Sequence, residues 1–466
     1  MIENFISTAN DALYSWLLII VLVAGGLYFS LRTKFVQFRL LGEQLRAVTE
    51  KPGEKGGVSS FQALMVSTAS RVGTGNIIGV STALCIGGYG SVFWMWVIAL
   101  VGAASAFVES TLAQIYKKKG PDGYYGGPAH YIEALMKKRW LAMVFTVLLI
   151  LTYGVGFNML ASYNLQSTFS AYSFYNATWT PWIIGGILAL TVGFCLFGGG
   201  KRLVKATTWL VPIMGVAYIL MAVIISLINI QSIPSIFARI FTEAFDFKAI
   251  FGGFSGSCVM YGIKRGLFSN EAGVGSAPNA SASADVSHPA KQGLVQVLSV
   301  FIDTLLVCSA TAFMCLSSGV EPSKSLEGAA YVQVATQTAL GNFGPIFITV
   351  AMILFAFTTL LGNLFYVDKS LNYLLGRQPG KAFMRSYYII ASGVILLGSG
   401  LSAGLLWNIA DLTMGAMTLI NMPVILIMSK YAVRCLNDYT RQRKAGIEPK
   451  FRAKDIDLPH EVDCWK

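Results

Sequence analysis

The chain has 466 residues, of which 55% are hydrophobic and only 12% are charged, and its mean hydropathy is +0.60. A soluble domain of this length would be about one-quarter charged, so composition excludes one and leaves a polytopic, all-α membrane protein. The formal charge of +12 does not indicate a nucleic-acid partner, because the basic residues occupy short linkers between apolar spans, as cytoplasmic loops do.

Apolar stretches of roughly 17–25 residues recur, each long enough to cross a bilayer. The first, Leu13–Leu31, has Glu3 and Asp11 but no Lys or Arg ahead of it, so it reads as a retained helix and not a cleaved signal peptide. Arg32, Lys34, Arg39, Arg46, Lys51 and Lys55 crowd the loop that follows. Ser59–Ile86 is the second span, Val92–Tyr116 the third, and Lys117-Lys118-Lys119 ends it. Gly126-Gly127-Pro128 opens a short amphipathic stretch that closes at Lys137-Lys138-Arg139. Leu141–Phe169, Trp182–Phe197 and Leu203–Ile228 complete the first half, with Lys201, Arg202 and Lys205 between the last two.

Ser232–Lys248 is mixed in polarity and is expected on the surface. Ile250–Ala284 and Gly293–Ser317 follow, then a segment at Glu327–Leu340 that is too polar to span. Ile346–Leu375, Ser386–Leu401 and Leu405–Lys430 finish the membrane part before a basic polar tail. The expected organisation is an extra helix within residues 1–31, a five-helix unit at 59–230, a second at 249–430 and a tail at 431–466, eleven spans in all. Placing the N-terminus outside puts nearly every Lys and Arg on the inner side, together with the tail. The outer loops then keep only Arg239, Lys248 and Lys324. Five spans per unit, an odd number, force the second unit to be inverted relative to the first.

Two of these spans are interrupted by glycines. Ser70-Arg71-Val72-Gly73-Thr74-Gly75-Asn76 and Asn270-Glu271-Ala272-Gly273-Val274-Gly275-Ser276 superimpose at an offset of about 200 residues. Glycines can simply bring helices close, but paired breaks in two halves are the mark of a secondary transporter's binding site. Unwound backbone within lipid is tolerable only where protein or a watery cavity satisfies it. A helix restarting near Asn76 presents N–H groups to an anion such as a carboxylate. The half-helix before it ends in free carbonyls suited to an ammonium or a sodium ion. Neither this stretch nor Gly198-Gly199-Gly200-Lys201 meets the requirements of a phosphate loop.

Arg71 and Glu271 occupy equivalent places, and an isolated charge at that depth costs several kcal/mol. The expectation is an ion pair between them, or a network with Glu109 or Asp303, with a proton relay through the carboxylates as the alternative. Lys264 and Arg265 stand close enough to join that network or to snorkel. Thr358 and Thr359, mid-span, either bond back to their own helix or offer oxygens to Na⁺. Asn363 lies one turn beyond Thr359 and is a candidate contact for a polar solute. The seven cysteines show no ligand spacing and read as buried apolar residues. His130, His288 and His460 have no catalytic partners in the sequence, so no enzyme activity and no cofactor are expected. No channel-like filter repeats along the chain.

These residues resemble the alanine/glycine:cation symporter family, the sodium:alanine symporters. The resemblance covers nearly the whole chain. It is densest at 69–76, Phe93-Trp94-Met95-Trp96, Glu109-Ser110-Thr111-Leu112-Ala113-Gln114, Gly126-Gly127-Pro128-Ala129 and 266–278. It implies a LeuT-like core of five plus five inverted helices with one added N-terminal helix. It also implies a bacterial inner-membrane location and Na⁺- or proton-coupled uptake of a small neutral amino acid; action as a monomer is a separate expectation. Carried over by position, Gly73, Thr74, Gly75 and Asn76 would bind the solute's backbone groups, with Phe268, Asn270, Thr359 and Asn363 around them. Ala69 and Val72 carbonyls with Thr358 and Thr359 would hold Na⁺. Two departures stand out. Gly362-Asn363 replaces a Gly-Trp of members that take alanine or glycine, and Ala161-Ser162-Tyr163 replaces a Gln-x-Asn pattern. A carboxamide in place of an indole widens and polarises a pocket, so glutamine or asparagine is expected to fit better than alanine.

Overall fold

A computed structural model describes all residues except 1, 54–56, 122, 248–249, 251–252, 254–256, 460 and 466. Lys55, Lys248 and His460 therefore lie outside the described residues, as does the side chain of Glu3. Helical turns from Ile2 run into α1 (Leu18–Arg32), and α2 (Leu41–Val48) follows. The second span is two pieces, α3 (Ser60–Arg71) and α4 (Gly75–Gly87). Next come α5 (Gly90–Ile115), a hairpin of two three-residue strands at Lys118–Gly120 and Gly123–Tyr125, and α6 (Pro128–Met136). α7 (Arg139–Ala171), α8 (Thr180–Leu196) and α9 (Gly199–Ile228) complete the first half.

The second half begins with α10 (Ile233–Ala244), and the other broken span is α11 (Cys258–Asn270) and α12 (Pro278–Ser283). α13 (Pro289–Ser317), α14 (Ala329–Leu340), α15 (Phe343–Leu375), α16 (Lys381–Ser399) and α17 (Ala403–Lys444) follow. Among the described residues, seven helices are long and apolar enough to cross a membrane, and α1, α4 and α8 are shorter apolar ones. The expected Ile250–Ala284 span is thus two short helices, and α17 extends well past Lys430.

Local chemistry sets the boundaries that matter here. α3 starts at a reciprocal cap, in which Ser59 Oγ accepts from Gln62 N and Gln62 Oε1 accepts from Ser59 N. Ser257 caps α11 by accepting from Met260 N. Pro278 and Pro289 open α12 and α13 where their missing N–H costs nothing.

The chain's ends of span sort into two faces. Tyr89, Glu243, Arg239 and Glu321 meet on one: Tyr89 N donates to Glu243 Oε2 (2.8 Å) and Arg239 pairs with Glu321 (2.7 Å). Val58, Lys117, Ala284, Lys291, Glu50 and Glu448 meet on the other, the basic face. α10, expected only to lie on the surface, packs on the start of α5 through Trp94 Nε1 and Ala244 O (3.1 Å).

Candidate functional site

The first break is held open by one side chain. Gly73 N, which would close a helical bond on Ala69 O, instead donates to Asn76 Oδ1 (2.8 Å), and Asn76 N turns to Gly73 O (3.1 Å) in place of Val72 O. The Ala69 and Val72 carbonyls thereby lose the amides four residues on. Asn76 Nδ2 is itself fixed by Asp303 Oδ1 (2.7 Å). Asn76 thus shapes the break with both ends of its side-chain amide.

Glycine is required here by approach distance. A methyl group on Gly73 would collide with Thr359 Oγ1, and one on Gly75 would stand 2.7 Å from the Phe268 ring. Thr359 Oγ1 is buried and without a hydrogen-bond partner. Thr358 takes the other course: its hydroxyl donates back to Leu354 O (2.9 Å) and contacts Met214 Sδ. The two adjacent threonines thus divide, and only Thr359 faces the break.

The second break is longer. Glu271 adopts the left-handed region (φ 54°), as do Gly273 (φ 85°) and Gly275 (φ 91°). Asn270 Oδ1 caps the turn by accepting from Ala272 N (3.0 Å), and its Nδ2 has no partner. Glu109 Oε1 accepts from Gly273 N (3.3 Å), while Asn421 Nδ2 donates to Glu109 Oε2 (2.8 Å) and to Gly273 O (2.9 Å). Asp303 Oδ2 accepts from Ser269 Oγ (2.7 Å), so this one carboxylate anchors both broken spans.

The expected Arg71–Glu271 ion pair does not form, nor does Arg71 pair with Glu109 or Asp303. Arg71 is buried and donates from Nη1 to Gln296 Oε1 (2.9 Å); its Nε and Nη2 have no partner. Glu271 is held by hydroxyls instead, from Ser70 (3.2 Å) and Ser276 (2.6 Å). The reason is directional: symmetry puts the two residues at equivalent positions, but Arg71 ends a helix and Glu271 sits in a left-handed cap, so their side chains leave the backbone differently. Asn363 is likewise spoken for. Its Oδ1 accepts from Ser70 Oγ (2.7 Å) and its Nδ2 donates to Asn158 Oδ1 (3.0 Å), which makes it a tie between α15, α3 and α7 and not a free pocket group.

Several residues the sequence reading passed over belong to the site. Phe157 and Trp407 pack tilted against Phe268, with ring centroids at 4.6 and 4.8 Å, and Phe268 in turn lies against Gly75. Asn164 Nδ2 donates to Thr74 Oγ1 (3.0 Å), leaving a buried, unpartnered Oδ1. Lys264 and Arg265 join no network at the breaks; both pair with Asp411, at 3.0 and 3.2 Å, and Arg265 lies 4.0 Å over the Trp407 ring. Asp411 carried a usable signal, since it is a carboxylate within an apolar span, which by itself marks a functional position. Asn164 and Phe157 carried none, because both residue types are ordinary in a buried helix.

Residues 1–453 match the family described as the sodium:alanine symporter family. The probable sodium/glutamine symporter GlnT of Bacillus subtilis (strain 168) is 41% identical over 469 residues, spanning 100% of this chain and 96% of its own. The putative sodium/proton-dependent alanine carrier protein YrbD of the same strain is 39% identical over 481 residues, spanning 99% and 97%. Among solved structures, a Na⁺-coupled sialic acid symporter in a substrate-bound outward-open state superimposes with a TM-score of 0.51 at 13% identity, over 94% of this chain and 92% of that one, which bears on fold alone. The architecture is accordingly LeuT-like, as the resemblance implied, and the protein is a membrane transporter and not an enzyme. With twin broken spans at its centre and a family match over nearly its whole length, this chain belongs to the sodium:alanine symporter family.

Proposed function

We propose that the protein is a Na⁺-coupled symporter of a small neutral amino acid, working by alternating access as a monomer in a bacterial inner membrane, N-terminus outside and C-terminus inside. The observation that carries this reading is the buried, unpartnered Thr359 hydroxyl set against Gly73, beside the Ala69 and Val72 carbonyls freed by Asn76. Neutral oxygens of this kind suit a hard cation. The restarted helix α4 turns its N-terminus toward the same space and suits the carboxylate of a zwitterion.

The Phe157–Phe268–Trp407 surface walls the site, and the Lys264/Arg265–Asp411 cluster closes it toward the outer face. For the side chain, Asn164 Oδ1 beside Thr74 supplies the polar contact first assigned to Asn363, an acceptor that a carboxamide N–H would satisfy. Glutamine or asparagine is therefore favoured over alanine or glycine. One relative's name supports the first and the other's the second. Uptake of labelled glutamine into proteoliposomes, driven by an inward Na⁺ gradient at fixed pH and competed by unlabelled alanine, tests both points. Labelled alanine taken up where labelled glutamine is not would overturn the substrate assignment; uptake indifferent to Na⁺ would overturn the coupling. Proton coupling, the second reading, is favoured by the buried carboxylates Glu109, Glu271 and Asp303, which share one nearby cation, Arg71, and form no direct ion pair with it among the described residues.

A further inference from the structure

The chain beyond α17 is not a loose polar tail. Four of its apolar side chains, Phe451, Ile456, Val462 and Trp465, are buried. Phe451 N donates to Ser287 O (3.0 Å) and Ser287 Oγ donates to Pro449 O (2.9 Å), so the segment pairs with the linker between α12 and α13. Glu448 accepts from Lys291 at the start of α13 (2.7 Å). Phe451 then packs edge-on against His288 (5.2 Å) and Trp465 (5.4 Å). Trp465 Nε1 donates to Gln114 O at the end of α5 (2.8 Å), and the Lys117 ammonium stands 4.6 Å over its ring.

Gln114 and Lys117 are the residues that grip the end of α12. Gln114 Nε2 donates to Ser281 O and to Ala284 O (2.9 Å), and Lys117 Nζ donates to Ala284 O (3.0 Å). Ala284 bridges in turn to Val58, with Asp285 N donating to Val58 O (2.9 Å) just ahead of α3. The end of α12 is thus held by Gln114, whose carbonyl accepts from Trp465, and by Lys117, which lies over the Trp465 ring, and the entry to α3 joins them through the Val58–Ala284 bridge. α12 is six residues long and leaves its last turn in extended backbone at Ala284, whose carbonyl is the acceptor that Gln114 and Lys117 share.

We propose that residues 447–465 are a cytoplasmic latch. Docked, they hold α12 and the entry to α3 against α5 and keep the inner mouth shut; undocking frees those half-helices to swing toward the cytoplasm. The latch rests on the alternating-access reading and on the basic face being cytoplasmic.

The test uses a Ser283→Cys reporter, which lines a cavity of about 610 Å³ on the basic face, with the native cysteines replaced and Cys464→Ser among them. Inside-out vesicles are labelled with a membrane-impermeant maleimide, without Na⁺ or amino acid. Full-length Trp465→Ala and a chain ending at Gly446 should label several-fold faster. A synthetic peptide of residues 447–466 carrying the same Cys464→Ser change should return the truncated protein to the original rate, and Trp465→Phe should fall between. Unchanged labelling in Trp465→Ala overturns the latch, as does faster labelling in the truncation that the peptide fails to reverse, which is the signature of a merely structural prop. Because the labelling needs no cargo, labelling that responds while uptake fails for every amino acid would sink the amino-acid assignment and leave alternating access and the latch standing.

Discussion

Ser70 Oγ lies 3.2 Å from Glu271 Oε1, so the last turn of α3 is hydrogen-bonded to the first residue of the second break. The same hydroxyl reaches Asn363 Oδ1 at 2.7 Å on α15. One small side chain therefore registers both broken spans against a third helix. Its one O–H hydrogen is shared between the two acceptors, and removing it leaves them short of that donor, at about 1–3 kcal/mol. Ser70→Ala should lower the thermal midpoint in detergent by only a few degrees while cutting Na⁺-driven uptake about tenfold or more. Uptake at the original level would mean that the tie does not register the site.

The two threonines should separate cleanly. Thr359→Ala removes the only hydroxyl of the pair that faces Gly73 and should raise the Na⁺ concentration for half-maximal uptake at least tenfold, about 1.4 kcal/mol of ion binding. Thr358→Val removes a hydroxyl bonded back to its own helix and should change that concentration little. Equal effects from both would contradict the division seen here.

Gly75 has no room for a methyl group against Phe268. Gly75→Ala should abolish uptake by displacing the aromatic wall, and Gly75→Ala with Phe268→Leu should recover part of it. Saturation binding of labelled amino acid to purified protein distinguishes this from misfolding: the double variant should bind and the single should not.

Asp411 is the shared counter-ion of Lys264 and Arg265, and all three are buried. Removing one member of a buried ion pair costs roughly 3–5 kcal/mol because the remaining charge has lost its compensation. Asp411→Asn should therefore show a large drop in thermal midpoint, eased when Lys264→Met is added. A variant as stable as the parent would show that water or lipid headgroups already compensate the cations.

Burial, helped by the nearby charge of Lys118, pushes His130 on α6 down to about 4 from 6.5. Between these values the unfolded chain binds more protons than the folded one, so stability is fully present above pH 6.5 and is lost as pH falls toward 4. His130→Gln should flatten that acid limb in a plot of thermal midpoint against pH. An identical limb would assign it to other groups.

The faces of the bundle show what one-dimensional information can carry. Apolar runs and the placement of Lys and Arg were enough for the helical membrane class and for the long spans α5, α7, α9, α13 and α15, because lipid solvates every span alike and each must satisfy its own backbone. α10, and the division of Ile250–Ala284 into two short helices, were not foreseen. The twin glycine breaks were legible for the same reason: Gly73 and Gly273 interrupt spans that have no other local cause to stop.

Partner choice was not legible. Arg71 and Glu271 stand in equivalent positions, yet Gln296 takes the guanidinium and two serines take the carboxylate, since helix end and left-handed cap aim their side chains apart. Thr358 and Thr359 are the same residue type side by side, and only helix rotation decides which one meets Gly73. Asp411 finds Lys264 from about 150 positions along the chain, and Trp465 finds Gln114 from some 350. Sequence by itself determined the helical membrane class, most of the long apolar spans and where two of them break, and it offered residue types suited to a zwitterion and a cation. Which of those side chains turn to each other, which are left facing the break, and that the tail folds back beneath the broken spans were decided by packing in three dimensions, because a hydrogen bond depends on direction and distance that no spacing along the chain encodes.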